Sequence, residues 1–485
     1  MRSKNWIAGA VVASVAVTGS AAAQSGQRQL SAGEVRQAQA AHPQIVQEFG
    51  GAETGARAVY VTGVGRRIAM QSNIANAGVA TTITTLNSPV MNAFAIPGGY
   101  VYITRQLLGV MNDEAELASV LGHEVGHIAA NHSKSRTRSG VFSQLGAVLV
   151  GVVTGSGQLA QAAGQVAQLA TLKFSRDQEF QSDALGVSYL TRAGYDPAAT
   201  ASMLRQLGAA TTLEGRVAGR KDERTTPSWS RTHPLSEDRV RRALAAAQKT
   251  GKAGVGLRNR EQFLAAIDGV MVDDDPRQGV IDGNQFIHPD LRLKFTAPSG
   301  YTMQNGTTAV AIQGQAGQAQ FGTANFNGDL TVYISNVYTS LSAGKAQIQV
   351  PRPQTTTVNG KPAAFTVTQV QGQSGPVDVG VFAFRWDATH AYHFVTITPA
   401  GSQFGPFQSM IQSLSAVTPN EAATIRPRVL DIVTVRPGDT VQSLAARMAY
   451  RDFQLERFTT LNGLARNAAL SSGQKVKLVV YGNRS

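Results

Sequence analysis

One pentapeptide constrains this chain more than any other feature. His123-Glu124-Val125-Gly126-His127 lies in a run whose apolar positions Leu117, Val120, Leu121, Val125 and Ile128 recur at helical spacing. Four residues apart, two imidazoles project from the same side of a helix, and Glu124 reaches the same space. Two neutral ring nitrogens so placed can share one divalent metal. A carboxylate beside them can take a proton from an attacking water and deliver it to a leaving amine. The competing reading is two surface histidines on an amphipathic helix. With only eight histidines in 485 residues, three fixed positions rarely coincide by chance.

A catalytic zinc needs a third protein ligand and an open position. The extended metzincin pattern would place Gly at 130 and His at 133, but the chain has Ala130 and Ser133. His132 misses that register by one and reads as a group behind the ligands or a structural one. The better source is Phe174-Ser175-Arg176-Asp177-Gln178-Glu179-Phe180-Gln181-Ser182-Asp183. Here Glu179 and Asp183 are again four apart on an expected helix, one able to ligate and the other to accept a hydrogen bond from a ligating imidazole. A Glu ligand on a second helix makes a gluzincin arrangement.

Several separated motifs then occur in a telling order. Asn92-Ala93-Phe94-Ala95-Ile96-Pro97-Gly98-Gly99 precedes the His123 pentapeptide, the Ser175 to Asp183 segment follows, and Thr232-His233-Pro234-Leu235-Ser236-Glu237-Asp238-Arg239 comes last. Over residues 30 to 248 this order resembles the prenyl-protein endopeptidase (HtpX-like) family of zinc metallopeptidases. The resemblance implies His123, His127 and Glu179 as ligands of one Zn2+ per chain, Glu124 as catalytic base and Asp183 orienting His123. It also implies that Asn92, Ala93 and Phe94 lie on an edge strand where substrate backbone adds. His233 would stabilise the oxyanion or occupy the fourth metal position at rest, and Arg239 would pair with Asp183. Members embedded in membranes carry spanning helices between the zinc helix and the third ligand. Here only Val141 to Val153 and an Ala- and Gln-rich stretch to Leu172 stand there, which suggests a lid or a peripheral membrane patch.

Composition sets the surroundings. Arg2 and Lys4 precede an apolar run from Trp6 to Val17, and Ala21 and Ala23 offer a cleavage site, so residues 1-23 read as a secretory signal. The run is shorter than the roughly 20 residues that span a bilayer. With no cysteine at all, disulfides, thiol catalysis and a cysteine lipid anchor are excluded. The expected location is the periplasm or the exterior. A net charge of +13 favours anionic partners. Nucleic acid is not among them, because export separates the chain from it and no aromatic-basic stripe occurs.

The expected fold class is α+β multidomain. A mainly helical gluzincin protease domain with a small β-sheet covers 24-258, its sheet formed from Ala80 to Asn87 and Ala93 to Thr104. A β-rich antiparallel α+β domain covers 259-420, with Leu330, Val332 and Ile334 alternating as a strand and a late helix near Phe404 to Leu414. His390 and His393 in it read as ordinary packing rather than a metal pair. Its strand order resembles the PsbP-like α+β fold. The segment Pro419 to Arg428 reads as a linker, and residues 421-485 comprise most of it and a small βααβ unit that resembles the LysM domain. The LysM resemblance implies binding to N-acetylglucosamine-containing glycan, hence peptidoglycan.

The expected partners are polypeptide substrates, unfolded or outer-membrane proteins, with peptidoglycan held through the LysM-like unit. Quality control of envelope proteins is the role the resemblance suggests. A latent chaperone or scaffold, and a peptidoglycan peptidase, are the alternatives.

Overall fold

The computed structural model describes residues 27–132, 174–217, 233–341, 349–372 and 375–483. The expected signal segment and the stretch from Val141 to Leu172 lie outside them. Among the described residues no helix is long and apolar enough to cross a membrane.

The first domain opens with α1 (Ala32–Glu48), whose N-cap Ser31 and third residue Glu34 bond reciprocally in a capping box. Helix α2 (Ala56–Ala69) and the single turn α3 (Ala77–Ala80) lead into a sheet of β1 (Thr82–Leu86), β2 (Ala93–Ile96) and β3 (Tyr100–Thr104). Its order is β1-β3-β2, with β1 parallel and β2 antiparallel to β3, so β2 is an edge. The short α4 (Arg105–Val110) then turns into α5 (Glu114–Ala129), which carries the pentapeptide.

Every residue of α5 is buried, so it is a central helix and not an amphipathic surface one. Its N-terminal polar residues are satisfied inside. Asp113 caps the Glu116 N–H and pairs with Arg258, while Glu114 accepts from the hydroxyls of Tyr60 and Tyr195. Glu116 in turn accepts from the Asn112 N–H, one residue ahead of the cap.

Helices α6 (Arg176–Arg192) and α7 (Ala199–Val217) pack on α5, and α8 (Glu237–Lys249) packs on α6 and α7. The α5–α6 contact is close because glycines face it. A Cβ on Gly126 would stand 3.2 Å from the Ser182 carbonyl oxygen, and one on Gly122 3.4 Å from the Gly186 Cα.

The middle domain is built on a seven-stranded antiparallel sheet in the order β11-β12-β13-β14-β10-β9-β8. Its strands are β8 (Thr302–Asn305), β9 (Ala309–Gly314), β10 (Gly317–Thr323), β11 (Gln354–Val358), β12 (Lys361–Gly372), β13 (Gly375–Arg385) and β14 (Ala391–Pro399). Strands β5 (Val280–Asp282), β6 (Gln285–His288), β7 (Leu293–Thr296) and β15 (Ser415–Ala416) form a second sheet.

The segment expected as a strand at Leu330 to Ile334 is helix α10 (Leu330–Leu341). Its β-branched residues read as strand, but Leu330, Tyr333, Ile334, Val337, Tyr338 and Leu341 share one helical face against the sheet. Asp329 fixes the start by accepting from the Thr331 N–H. The helix expected near Phe404 is present as α11 (Gln408–Ser413), while part of the expected linker is helix α12 (Pro419–Thr424) with a Thr418–Glu421 capping box.

The C-terminal unit has the expected βααβ order: β16 (Arg428–Thr434), α13 (Val441–Ala445), α14 (Gln454–Asn462) and β17 (Lys475–Tyr481). It does not stand apart. Helix α9 (Arg260–Ile267) and strand β4 (Met271–Val272), placed by the sequence reading with the middle domain, join it to the first domain. Strand β4 pairs with β16 in a sheet of order β17-β16-β4. One apolar core runs continuously through α2, α5, α6, α9, β4 and the C-terminal unit.

Candidate metal centre

The helical spacing on α5 brings His123 and His127 together, with Nε2 atoms 3.0 Å apart. Helix α6, held close by the glycine contacts, brings the Glu179 carboxylate within 3.5 Å of His123 Nε2 and 3.6 Å of His127 Nε2. His233, just ahead of α8, places its Nδ1 3.2 Å from His123 Nε2 and 3.0 Å from Glu179 Oε1. These four buried residues offer donor atoms that all lie within 4.8 Å of one another, a set able to hold one metal ion. Three nitrogens and one carboxylate suit zinc and its neighbours among the divalent ions.

Partners of the far ring nitrogens aim the near ones. The His123 Nδ1–H donates to Asp183 Oδ1 at 2.9 Å, which leaves Nε2 with its lone pair toward the cluster. His127 uses a longer relay. The Gln181 side-chain oxygen accepts from His132 Nε2 at 3.0 Å, so His132 Nδ1 is an acceptor and takes the His127 Nδ1–H at 2.9 Å. Ser182 Oγ donates to the same His132 nitrogen at 3.3 Å. Behind Asp183 stands Arg239, bonded to both its oxygens, with a further nitrogen 2.7 Å from Glu179 Oε2.

Burial and charge set the protonation states. His127 is held well below the usual histidine range, first by burial and then by the neighbouring imidazoles. Burial also opposes a charge on His123, but the Asp183 hydrogen bond and the two carboxylates outweigh it, and its pKa is raised. Glu179 and Asp183 are held low despite burial, Glu179 chiefly by His233 and Asp183 chiefly by Arg239. Glu124 differs from both. It is fully buried, burial raises its pKa, and neither carboxylate oxygen has a hydrogen-bond partner. His233 Nε2 lies 3.5 Å from its Oε1.

All the residues singled out from the sequence around the metal therefore meet: His123, Glu124, His127, His132, Glu179, Asp183, His233 and Arg239. The edge-strand residues need a refinement. Thr104 N–H donates to the Asn92 carbonyl, so in an antiparallel pair Asn92 and Phe94 turn their backbone groups to β3. Ala93 and Ala95 turn theirs outward, while the Phe94 ring stacks on Tyr102. Strand β2 packs directly on α5. Two contributors carried no signal by spacing: Gln181, which sits off the Glu179–Asp183 face, and Phe174, whose ring stacks on His127 at 3.6 Å between centroids. Among the described residues His390 and His393 form no metal group; His390 pairs with Asp387, and His393 bonds the Tyr333 hydroxyl.

Comparison with known proteins places the same stretch in context. Residues 56–247 match the family model "Peptidase family M48", and residues 433–479 match "LysM domain". Mitochondrial metalloendopeptidase OMA1 of Arabidopsis thaliana is 31% identical over 195 residues, 40% of this chain and 37% of its own. The beta-barrel assembly-enhancing protease of Escherichia coli (strain K12) is 27% identical over 190 residues, 37% of each chain. Metalloprotease LoiP of the same organism is 29% identical over 153 residues, 31% of this chain and 56% of its own. This chain thus spans less than two thirds of each relative's length. Among solved structures, the cyanobacterial PsbP from Synechocystis sp. PCC 6803 aligns with 27% of this chain and 91% of its own, at 8% identity and a TM-score of 0.22, too low to bear on the fold.

Proposed function

We propose that this chain, which carries a peptidase family M48 domain followed by a LysM domain, is a zinc-dependent endopeptidase that hydrolyses unfolded or misfolded polypeptides. The observation that carries the reading is Glu124: a fully buried carboxylate, one residue beyond a metal-ligand candidate, with neither oxygen hydrogen-bonded. Burying such a carboxylate without hydrogen bonds costs several kcal/mol of desolvation, a burden that marks candidate functional sites.

His123, His127 and Glu179 would hold the metal, which supplies a Lewis acid for the scissile carbonyl and acidifies water. The remaining steps belong to the chain. An extended substrate pairs with the outward N–H and C=O groups of Ala93 and Ala95, adding a strand to the sheet beside α5. Glu124, its basicity raised by burial, takes the proton of the attacking water and passes it to the leaving amine. Asp183, His132 and Arg239 keep the two ligand imidazoles and Glu179 aimed.

His233 has a second part in the reading. Its Nδ1 lies among the ligand atoms rather than at a distance suited to an oxyanion, which favours a resting state in which it fills the fourth position. The N-terminal 23 residues direct export, and the LysM domain holds the enzyme near peptidoglycan. Quality control of envelope proteins is the corresponding role.

The test is metal content and hydrolysis of casein by the wild type, Glu124→Gln and His233→Ala. The reading expects one equivalent of zinc in each, loss of at least a thousandfold in activity with Glu124→Gln, and retained or increased activity with His233→Ala. Zinc without hydrolysis in any form would replace the peptidase by a chaperone or scaffold.

A further inference from the structure

Lys477 is a buried charge that the chemistry above leaves unused. It lies on β17 of the LysM domain, is wholly inaccessible to solvent, and points out of its own domain. Its ammonium donates to the carbonyls of Met111 at 2.5 Å, Gly109 at 2.9 Å and Val110 at 3.3 Å. These residues end α4 and form the turn that leads into α5. A C-terminal module of about fifty residues therefore reaches with one side chain into the lead-in of the metal helix.

That turn is gripped at every carbonyl. Gln206 of α7 donates to Val110 O at 3.1 Å and to Thr460 O of α14 at 2.6 Å, bridging the two domains. Arg260 donates to Asn112 O at 2.6 Å and to Lys475 O at 3.2 Å, a second bridge. The four consecutive carbonyls of residues 109 to 112 thus accept from Lys477, Gln206 and Arg260. One residue later Asp113 caps α5, and the Asn112 N–H donates to Glu116 on the first turn.

The lysine itself cannot wander. Asn462 of α14 accepts from its backbone N–H at 2.7 Å and donates to its carbonyl at 2.9 Å. Gly109 lets the two domains close, since a Cβ there would stand 3.3 Å from Val272 and 3.7 Å from Leu430. Burial pushes the Lys477 pKa down to about 7 against the pull of Glu116.

We propose that the LysM domain is a working part of the metal-helix unit, in which Lys477 is a positioning residue that sets α5 and thereby His123 and His127. This rests on reading His123, His127 and Glu179 as metal ligands. A helix buried on all sides transmits a displacement at its first turn along its length, because its packed neighbours leave no slack. The domain would then do more than tether: its seating would govern how tightly the metal is held.

The experiment uses the full chain and its Lys477→Met and Gln206→Leu variants, with zinc alone as the probe. Amide hydrogen exchange is read along 114–129 without metal, and zinc affinity by chelator competition. In Lys477→Met the amides of α5 are expected to exchange at least tenfold faster while β12 to β14 keep wild-type protection, and zinc is expected to bind at least tenfold more weakly. Gln206→Leu should move both in the same direction by less. A lower melting temperature with wild-type exchange along α5, or with wild-type zinc affinity, overturns the proposal in favour of simple domain packing. Should Lys477→Met fail to fold, Gln206→Leu decides by the same two readings. A wild type that binds no zinc refutes the ligand reading instead, and α5 exchange then decides the positioning role alone.

Discussion

Arg239 holds Asp183 by both oxygens, Nε to Oδ2 and Nη2 to Oδ1, each at 2.8 Å. The same guanidinium touches Glu179 and the carbonyl of Pro234, so one side chain joins the third ligand candidate, the acid behind His123 and the segment that carries His233. Removing it strands two carboxylates in the interior. Arg239→Met is expected to destabilise the fold by about 3 to 5 kcal/mol, the range for breaking a buried pair from one side. Arg239→Lys should recover only part, because a single ammonium cannot span both Asp183 oxygens and reach Glu179 as well. Urea unfolding of the three forms reads this directly, and equal stability of Lys and Arg forms would contradict it.

The Gln181–His132–His127 relay makes a separate claim about the metal. His132→Leu removes the acceptor that keeps the His127 Nδ1 proton in place, so zinc affinity should fall roughly 10- to 100-fold, the usual cost of losing a group behind a ligand. The fold should survive, since α5 and α6 keep their glycine contact. Chelator competition beside a far-ultraviolet spectrum gives both numbers. An unchanged affinity would mean that the relay does not aim the ring.

Gly126 tests the helix contact. A branched side chain there meets the Ser182 backbone and forces α6, with Glu179, away from α5. Gly126→Val should cost about 1 to 3 kcal/mol by overpacking and weaken zinc binding alongside. Gly63, whose added Cβ would meet nothing, is the control position, and Gly63→Ala should leave zinc affinity at the wild-type value.

The middle domain carries its own pH signature. His393 is buried beside the Tyr333 hydroxyl, and burial lowers its pKa to about 4. The unfolded chain titrates this residue near 6.5, so between those values the unfolded state binds the proton that the folded state refuses. The stability that the neutral ring contributes is full above about pH 6.5 and is lost as pH falls toward 4, by about 3 kcal/mol. Denaturant midpoints at pH 7 and pH 4.5 should separate for the wild type by more than for His393→Gln. Equal acid losses in the two would remove His393 as the cause.

Much of the candidate metal centre was legible because its spacing obeys helical arithmetic. His123 and His127, and again Glu179 and Asp183, sit four apart on helices whose glycines and caps show in the sequence. Gln181 was not legible, since only the fold turns it toward His132. At Leu330 the β-branched run imitated a strand, and the decisive signal was the spacing of Tyr333, Ile334, Val337 and Tyr338. Lys477 was hidden for a different reason. Alternation along β17 assigns Lys475 and Lys477 to one face and Val476 to the other, yet both Val476 and Lys477 are buried, because this strand is covered on both sides. Strand β4 is two residues long and has no periodicity to read; its pairing with β16 depends on a partner far along the chain.

That pairing bears on how the chain is made. The whole middle domain lies between Met271–Val272 and the strand that completes their sheet, so the domain holding α5 is finished by a segment that follows the middle domain in the chain. Closing so distant a contact is slow, and until it closes the lead-in turn of α5 lacks its lysine. A chain assembled in this order seats the first turn of α5 fully only after β16 and β17 have been made, so its candidate metal ligands settle after the middle domain has been synthesised.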